Sequence, residues 1–321
     1  MTYIQNRLLN NYEIYLKIEG KGKIIRDKYY YSMAKDIYLY SIKYPEKIIQ
    51  LKSNLDSESK DLIDRILERV DYIYTHNLIE RKKLLTDNEI SEFGIVKKYM
   101  EEFKKREKVK LNHIDMAVFY YQHGLIYVPT NIINFLKNKD FIDGGAYNGD
   151  SALMFERFYQ PNLIYSFEPH SQNLELLKKA IKLNNLKKVI PVKLALGNKK
   201  ERVKITNDGM TSAVDMDGDI EIESTTIDSY VKDKNLNVGL IKLDIEGYSL
   251  KALEGARETI KKFKPILLIS IYHNGEEFFE IKNYIEELNQ NYCFIIRKFG
   301  PQRAFFDTNL IAWSDDLLKN S

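Results

Sequence analysis

Asp140-Phe141-Ile142-Asp143-Gly144-Gly145-Ala146-Tyr147-Asn148-Gly149-Asp150 decides the fold. A short apolar run meets a cluster of glycines, and Asp150 to Tyr159 then reads as a helix. Glycines at such a strand-to-helix turn allow tight backbone geometry and close approach of a ligand. From residue 111 onward the same texture recurs. Apolar runs lie at Leu163–Phe167, Val189–Leu194, Leu240–Leu243, Ile266–Ile271, Tyr292–Ile296 and Leu310–Trp313. Helical patterns separate them at Ser171–Asn184 (capped by Ser171), Thr226–Lys232, Ser249–Phe263 and Glu276–Leu288. Seven strands alternating with helices predict an α/β fold with a doubly wound, mostly parallel, Rossmann-like sheet. Ligands of such sheets bind beyond the carboxyl ends of the strands.

Residues 1–110 read as a helical N-terminal domain, set apart from a second domain at 111–321. Asp56 or Ser57 opens a helix with apolar residues Leu62, Ile63, Ile66, Leu67, Val70 and Ile73 at helical spacing. A second helix is expected over Asp87–Lys108. The tyrosines Tyr29, Tyr30, Tyr31, Tyr38, Tyr40 and Tyr44 read first as packing between helices, and second as a face for a ring-shaped polar ligand. Acceptor recognition or a homodimer contact is the expected role of this region.

Composition narrows the class. At 44% hydrophobic and 30% charged, the chain is ordinary globular material. A formal net charge of +3, its small basic excess falling in the first 110 residues, gives no electrostatic argument for nucleic acid. The single cysteine, Cys293, rules out an internal disulfide and reads as a small buried hydrophobe. No apolar stretch approaches membrane-span length, so a cytoplasmic protein is expected.

Counting from Gly144, the third place of a dinucleotide fingerprint is Ala146, where glycine would admit a pyrophosphate. That argues against NAD. S-adenosylmethionine (SAM) has no pyrophosphate. It asks for the turn, for backbone N–H groups, and for an acid, Asp143 or Asp150, to meet its ammonium. Glu168, in Phe167-Glu168-Pro169, lies nineteen residues beyond Gly149 at the second strand's end, where a carboxylate can accept from both ribose hydroxyls.

The chain resembles the FkbM-type methyltransferases from Val118 to Trp313. The resemblance rests on His123-Gly124-Leu125, Phe141 to Ala146, Tyr165-Ser166-Phe167-Glu168-Pro169, Thr225-Thr226-Ile227-Asp228-Ser229-Tyr230, Leu240 to Tyr248, Leu253-Glu254-Gly255-Ala256 and Lys264 to Leu268. It implies SAM-dependent O-methylation of a carbohydrate or sugar-linked metabolite, in surface-polysaccharide biosynthesis. One departure stands out. Members often carry an acid two places before the histidine after the fifth strand, where this chain has Ile271.

The expected cofactor contacts are Asp143, Gly144, Gly145, Ala146, Tyr147, Gly149, Asp150, Glu168, Pro169, Ala195, Leu196 and Asp244. Lys242, Asp244 and Glu246 alternate at the end of the fourth strand and should share a face. With His273 they form the catalytic candidates. Histidine is chosen as general base because its ordinary pKa lies near neutrality. Its rivals His76 and His113 lie in or beside the helical region, while His170 could meet ribose or adenine. Asp244, Glu246 and His273 could hold a divalent cation, but no closed ligand motif is present and metal is not favoured. Asn207–Ser212 with Asp215, Asp217 and Asp219 reads as a loop over the cofactor. The competing functions are an inactive SAM-binding scaffold in glycan assembly and a nucleic-acid methyltransferase. Against the second, no Asn-Pro-Pro-Tyr-like motif follows the fourth strand to receive a flipped base.

Overall fold

The computed structural model describes residues 28–76, 84–111, 113–205, 218–288 and 291–319. Helices α1 (Lys28–Lys43), α2 (Glu46–Lys52), α3 (Ser57–His76) and α4 (Asp87–Glu107) come first. Short helices α5 (Met116–Phe119) and α6 (Thr130–Asn134) follow, with a 3-10 turn (Gln122–Tyr127) between them. The alternating part then runs β1 (Asp140–Gly144), α7 (Asp150–Tyr159), β2 (Ile164–Phe167), α8 (Ser171–Asn184), β3 (Val189–Val192), β4 (Ala195–Leu196), β5 (Arg202–Ile205) and β6 (Ile220–Thr225). It continues with α9 (Ile227–Lys234), β7 (Val238–Leu243), α10 (Ser249–Glu254), α11 (Arg257–Phe263), β8 (Ile266–Ser270), α12 (Gly275–Leu288), β9 (Tyr292–Lys298), β10 (Thr308–Ser314) and α13 (Asp316–Lys319).

The seven-stranded sheet has the order β3-β2-β1-β7-β8-β10-β9. Its first five strands are parallel, and β10 runs antiparallel to both β8 and β9. From β1 the chain winds outward through β2 and β3, then returns to lay β7 on the other side of β1. The switch point therefore lies between β1 and β7, where Gly144 pairs with Leu243.

β1, β7 and β8 are buried along their whole length, which is why they read as continuous apolar runs and not as alternating ones. Successive residues still point to opposite faces. Leu240 and Leu268 pack with Phe141 and Phe155, whereas Ile241, Leu267 and Ile269 pack with Phe278 and Phe279. The N-terminal helices complete both layers. Met33, Ile37, Ile63, Ile66 and Val70 join the second cluster, and Val96 and Phe103 of α4 join the first. The expected helices are present in residues 28–107, but their buried side chains lie in the same two clusters as the sheet. Residues 1–27 lie outside the described residues.

Four local expectations are corrected. The N-cap of α8 is His170, with no side-chain cap, and not Ser171. The helix expected over Ser249–Phe263 is two, α10 and α11. A β-carbon on Gly255 would sit 2.1 Å from the Gly197 carbonyl oxygen, and Asp228 caps the second helix by accepting from Thr259 N–H (2.7 Å) and Glu258 N–H (3.0 Å). A second sheet, β4-β6-β5, was not anticipated. Its strands β5 and β6 alternate apolar and charged residues, with Val203 opposite Ile222 and Lys204 opposite Glu221. Cys293 is only partly buried, and its Sγ donates to Asp315.

Candidate active site

The glycine loop is folded chiefly onto itself and its neighbours. The N–H groups of Gly145 and Ala146 both donate to the Phe167 carbonyl, and Tyr147 N–H donates to Glu168 at 2.9 Å. Gly149 N–H donates to the Ala146 carbonyl and Asp150 N–H to the Asn148 side chain. The N–H groups of Gly145, Ala146, Tyr147, Gly149 and Asp150 are thus already engaged within the fold. What Gly145 supplies is space. Its φ is +76°, and a β-carbon there would lie 2.0 Å from the Asp244 carbonyl oxygen. The Ala146 side chain points into the core beside α7.

Lys242 and Asp143 are structural. Both are fully buried, 3.3 Å apart, and the Lys242 Nζ also donates to the carbonyls of Gly144 (3.1 Å) and Gly145 (2.8 Å). Burial alone would lower the lysine pKa, but Asp143, Asp244 and Asp150 raise it. Asp143 also accepts from Ser166. The proposed catalytic role of Lys242 is thus corrected to that of a brace under the loop, and Asp143 is already engaged. Asp150 accepts from Ser151 N–H at 2.7 Å through Oδ1. Burial, then Asp115, pushes its carboxyl up to about 6.

Glu168 is buried at the end of β2 and accepts N–H bonds from Tyr147 and His170, both 2.9 Å. The Asn173 side-chain amide also donates to it at 3.5 Å, and a carboxylate offers about four lone-pair sites, so capacity is left for a further donor. Burial raises its pKa against those backbone donors. Pro169 beside it is half-buried. Leu196 packs against Gly144, whereas the Ala195 side chain turns away to Ile205 and Ile222 of the small sheet. Of the acidic loop over the site, residues 206–217 lie outside the described residues.

Asp244, Glu246 and His273 converge. β7 ends at Leu243 and Glu246 is left-handed (φ +55°), so they meet through a turn and not along one extended face. His273 Nε2 lies 3.4 Å from Asp244 Oδ1 and 3.7 Å from Glu246 Oε2. Its Nδ1 lies 2.9 Å from Glu277 Oε2. Burial alone would lower the histidine pKa, but Glu277, Asp244 and Glu246 together hold it well above the ordinary value. The expectation that His273 titrates near neutrality without retuning is therefore overturned. Asp244 is held below the usual carboxylate range: burial opposes this, but His273 and Lys242 prevail. Among the described residues, no group of three or more His, Cys, Asp or Glu side chains is arranged to hold a metal ion.

Sequence reasoning missed Glu277, whose only signal is its i+4 spacing from His273. It is the carboxylate that meets His273 Nδ1. It also missed His123 as part of the site. That imidazole is buried, bonds Ser151 Oγ at 2.8 Å, and is pushed down to about 3 by burial, with Lys242 adding to this. Arg303 and Asp307, paired at 2.9 Å after β9, and Asp115 complete the charged surroundings. Asp307 is raised to about 6 by burial, against Arg303 and with Asp115 and Asp244.

Residues 143–292 match the family model described as the methyltransferase FkbM domain. That stretch, just under half of the chain, is similar to the FkbM methyltransferase domain. Among solved structures, the methyltransferase FkbM from Methylobacillus flagellatus KT matches with a TM-score of 0.60 at 20% identity. The match covers 87% of this chain and 61% of that one, so the chain spans less than two thirds of that protein's length. It shows the shared fold. Looser matches include an rRNA methylase from Streptococcus thermophilus (TM-score 0.37, 12% identity, 58% of this chain and 92% of that one). A Streptococcus mutans protein in complex with SAH gives a TM-score of 0.36 at 15% identity, over 57% of this chain and 94% of that one. No curated protein matches. Among the described residues, no helix is long and apolar enough to cross a membrane.

Proposed function

We propose that the protein is a SAM-dependent O-methyltransferase acting on a hydroxyl of a carbohydrate or sugar-linked metabolite. The observation that carries this is the placement of two acidic groups at the switch point. Glu168 ends β2, and the Asp244–Glu246–His273 cluster stands at the ends of β7 and β8, with the glycine loop of β1 between them. The residues fit SAM by their donor chemistry: Glu168 for the ribose hydroxyls, Asp150 for the ammonium, and Leu196 as an apolar wall. SAM supplies an activated methyl group. The chain's task is to hold the acceptor hydroxyl in line and take its proton. In this reading Asp244 and Glu246 orient the hydroxyl, and His273 accepts the proton in its neutral form. The carbohydrate class and the surface-polysaccharide setting follow from the family resemblance alone. For residues 28–107 we propose bracing of the site, with acceptor recognition or a homodimer contact as additional roles.

Calorimetric titration with SAM, SAH and NAD tests the cofactor. Transfer of labelled methyl from SAM to a panel of sugars and sugar nucleotides tests the reaction. Binding of SAM and SAH with label in a base-stable ether is expected. Binding of NAD without SAH would overturn the reading.

A further inference from the structure

We propose that Glu277 is a positioning residue for methyl transfer, one buried carboxylate that sets His273 against Asp244 and Glu246. The proposal rests on the reading of His273 as the base. Glu277 is wholly buried in the first turn of α12 and uses its two oxygens on different segments. Oε2 meets His273 Nδ1 at 2.9 Å, and Oε1 accepts from Ser249 N–H at 2.7 Å. Ser249 opens α10, three residues past Glu246. A single side chain therefore fastens the histidine to the segment that carries its two acidic neighbours.

The surrounding bonds keep this pin stiff. Asn274 donates to the Gly247 carbonyl at 3.2 Å and accepts from Glu277 N–H at 2.8 Å. Asp36 of α1 accepts from Gly275 N–H at 2.7 Å. Capping α10 would need only one oxygen, so that role leaves the histidine contact unexplained. The groups facing His273 are Asp244 and Glu246 from the turn after β7, Glu277 from α12, and the Tyr272 ring 4.2 Å away. A carboxylate at Nδ1 keeps a proton on that nitrogen when the ring is neutral. The Nε2 lone pair then faces Asp244 and Glu246, where the acceptor proton would arrive.

The test is Glu277→Gln, with Glu277→Asp as the conservative companion. The amide keeps the shape and can still accept from Ser249 N–H, but its NH2 then meets Nδ1 and drives the proton to Nε2. Expected are a turnover loss of about 100-fold, SAH affinity within about twofold of wild type, and partial recovery in Glu277→Asp. Nitrogen-15 NMR of His273 should show the switched tautomer and a lower titration midpoint. If Glu277→Gln does not fold, the Glu277→Asp spectra decide. A shifted His273 titration in that variant supports the pin, and an unchanged one overturns it. Lost turnover with an unchanged tautomer and titration also overturns it. A switched tautomer alongside full turnover in His273→Ala upholds the pin and overturns the base reading instead.

Discussion

Gly145 and Asp244 touch across the junction of β1 and β7, so closely that a β-carbon on the glycine would stand 2.0 Å from the aspartate's carbonyl oxygen. Both backbones are held, since Lys242 ties the Gly145 carbonyl from below and Asp244 N–H donates to the Gly144 carbonyl. Gly145→Ala combines this clash with a left-handed φ, which by itself disfavours a side chain by about 1 kcal/mol. The variant is expected to melt several degrees lower and to bind SAH at least tenfold more weakly. Wild-type melting and affinity would show that the contact is looser than described.

Glu168 should carry the cofactor's ribose. Hydrogen bonds to a charged group contribute about 1.5–3 kcal/mol each, so Glu168→Ala should weaken SAH by roughly 10- to 100-fold. Glu168→Gln, which retains an acceptor oxygen, should lose less. Titration calorimetry on both variants is the check, and equal affinity in all three proteins would remove Glu168 from the site.

His273 should give turnover a basic limb. Three carboxylates raise its folded-state pKa, so the neutral, proton-accepting form is favoured at higher pH than in an ordinary imidazole. Turnover is expected to climb as pH rises above 7, and His273→Ala should lie about 10²–10⁴-fold lower. The same shift bears on stability. A raised histidine pKa contributes stability that is complete below its unfolded value of about 6.5 and is lost as pH rises through the folded value. Denaturant midpoints of the wild type should therefore fall across the alkaline range more steeply than those of His273→Ala. Parallel slopes would contradict the pairing.

Glu89 anchors α4 to α3 and to the end of β9. It bonds Arg69 through both oxygens (3.0 and 2.6 Å) and lies 3.1 Å from Lys298, with all three side chains nearly buried. Arg69 and Lys298 hold Glu89 at about 2 against its own burial, while burial lowers Lys298 to about 8 despite Glu89. Glu89→Ala strands two buried cations and should destabilise by about 3–5 kcal/mol in urea titrations. A loss under about 1 kcal/mol would mean the site relaxes or hydrates.

Residues 111–321 expressed alone should not reach the native state, because both faces of the sheet would lose part of their cover. A folded fragment with unchanged near-UV dichroism would show that the helices are dispensable to the core.

The parallel strands were legible because burial on both faces writes them as unbroken apolar runs, as in Leu240–Leu243. β5 and β6 were missed although Arg202-Val203-Lys204-Ile205 alternates plainly, since four residues of which only Ile205 is buried carry little weight beside the buried runs. The convergence of Asp244, Glu246 and His273 followed from strand order alone. The role of Lys242 did not, because only the register with Asp143 and the two glycine carbonyls shows where its ammonium ends. Glu277 stayed hidden because its partner Ser249 lies 28 residues away, a distance that no periodicity encodes.

The docking of α1–α3 on the sheet has a consequence for biosynthesis. Asp56 pairs with Arg297, 241 residues further along the chain. At ribosomal speeds of about 5–20 residues per second, the nascent helices wait on the order of ten to fifty seconds for the strands that cover them. During that interval Leu62, Ile63, Ile66, Val70 and Ile73 of α3 present an uncovered apolar stripe. The chain is thus exposed to aggregation, and to capture by chaperones, until translation nears its end, and its native core closes only afterwards.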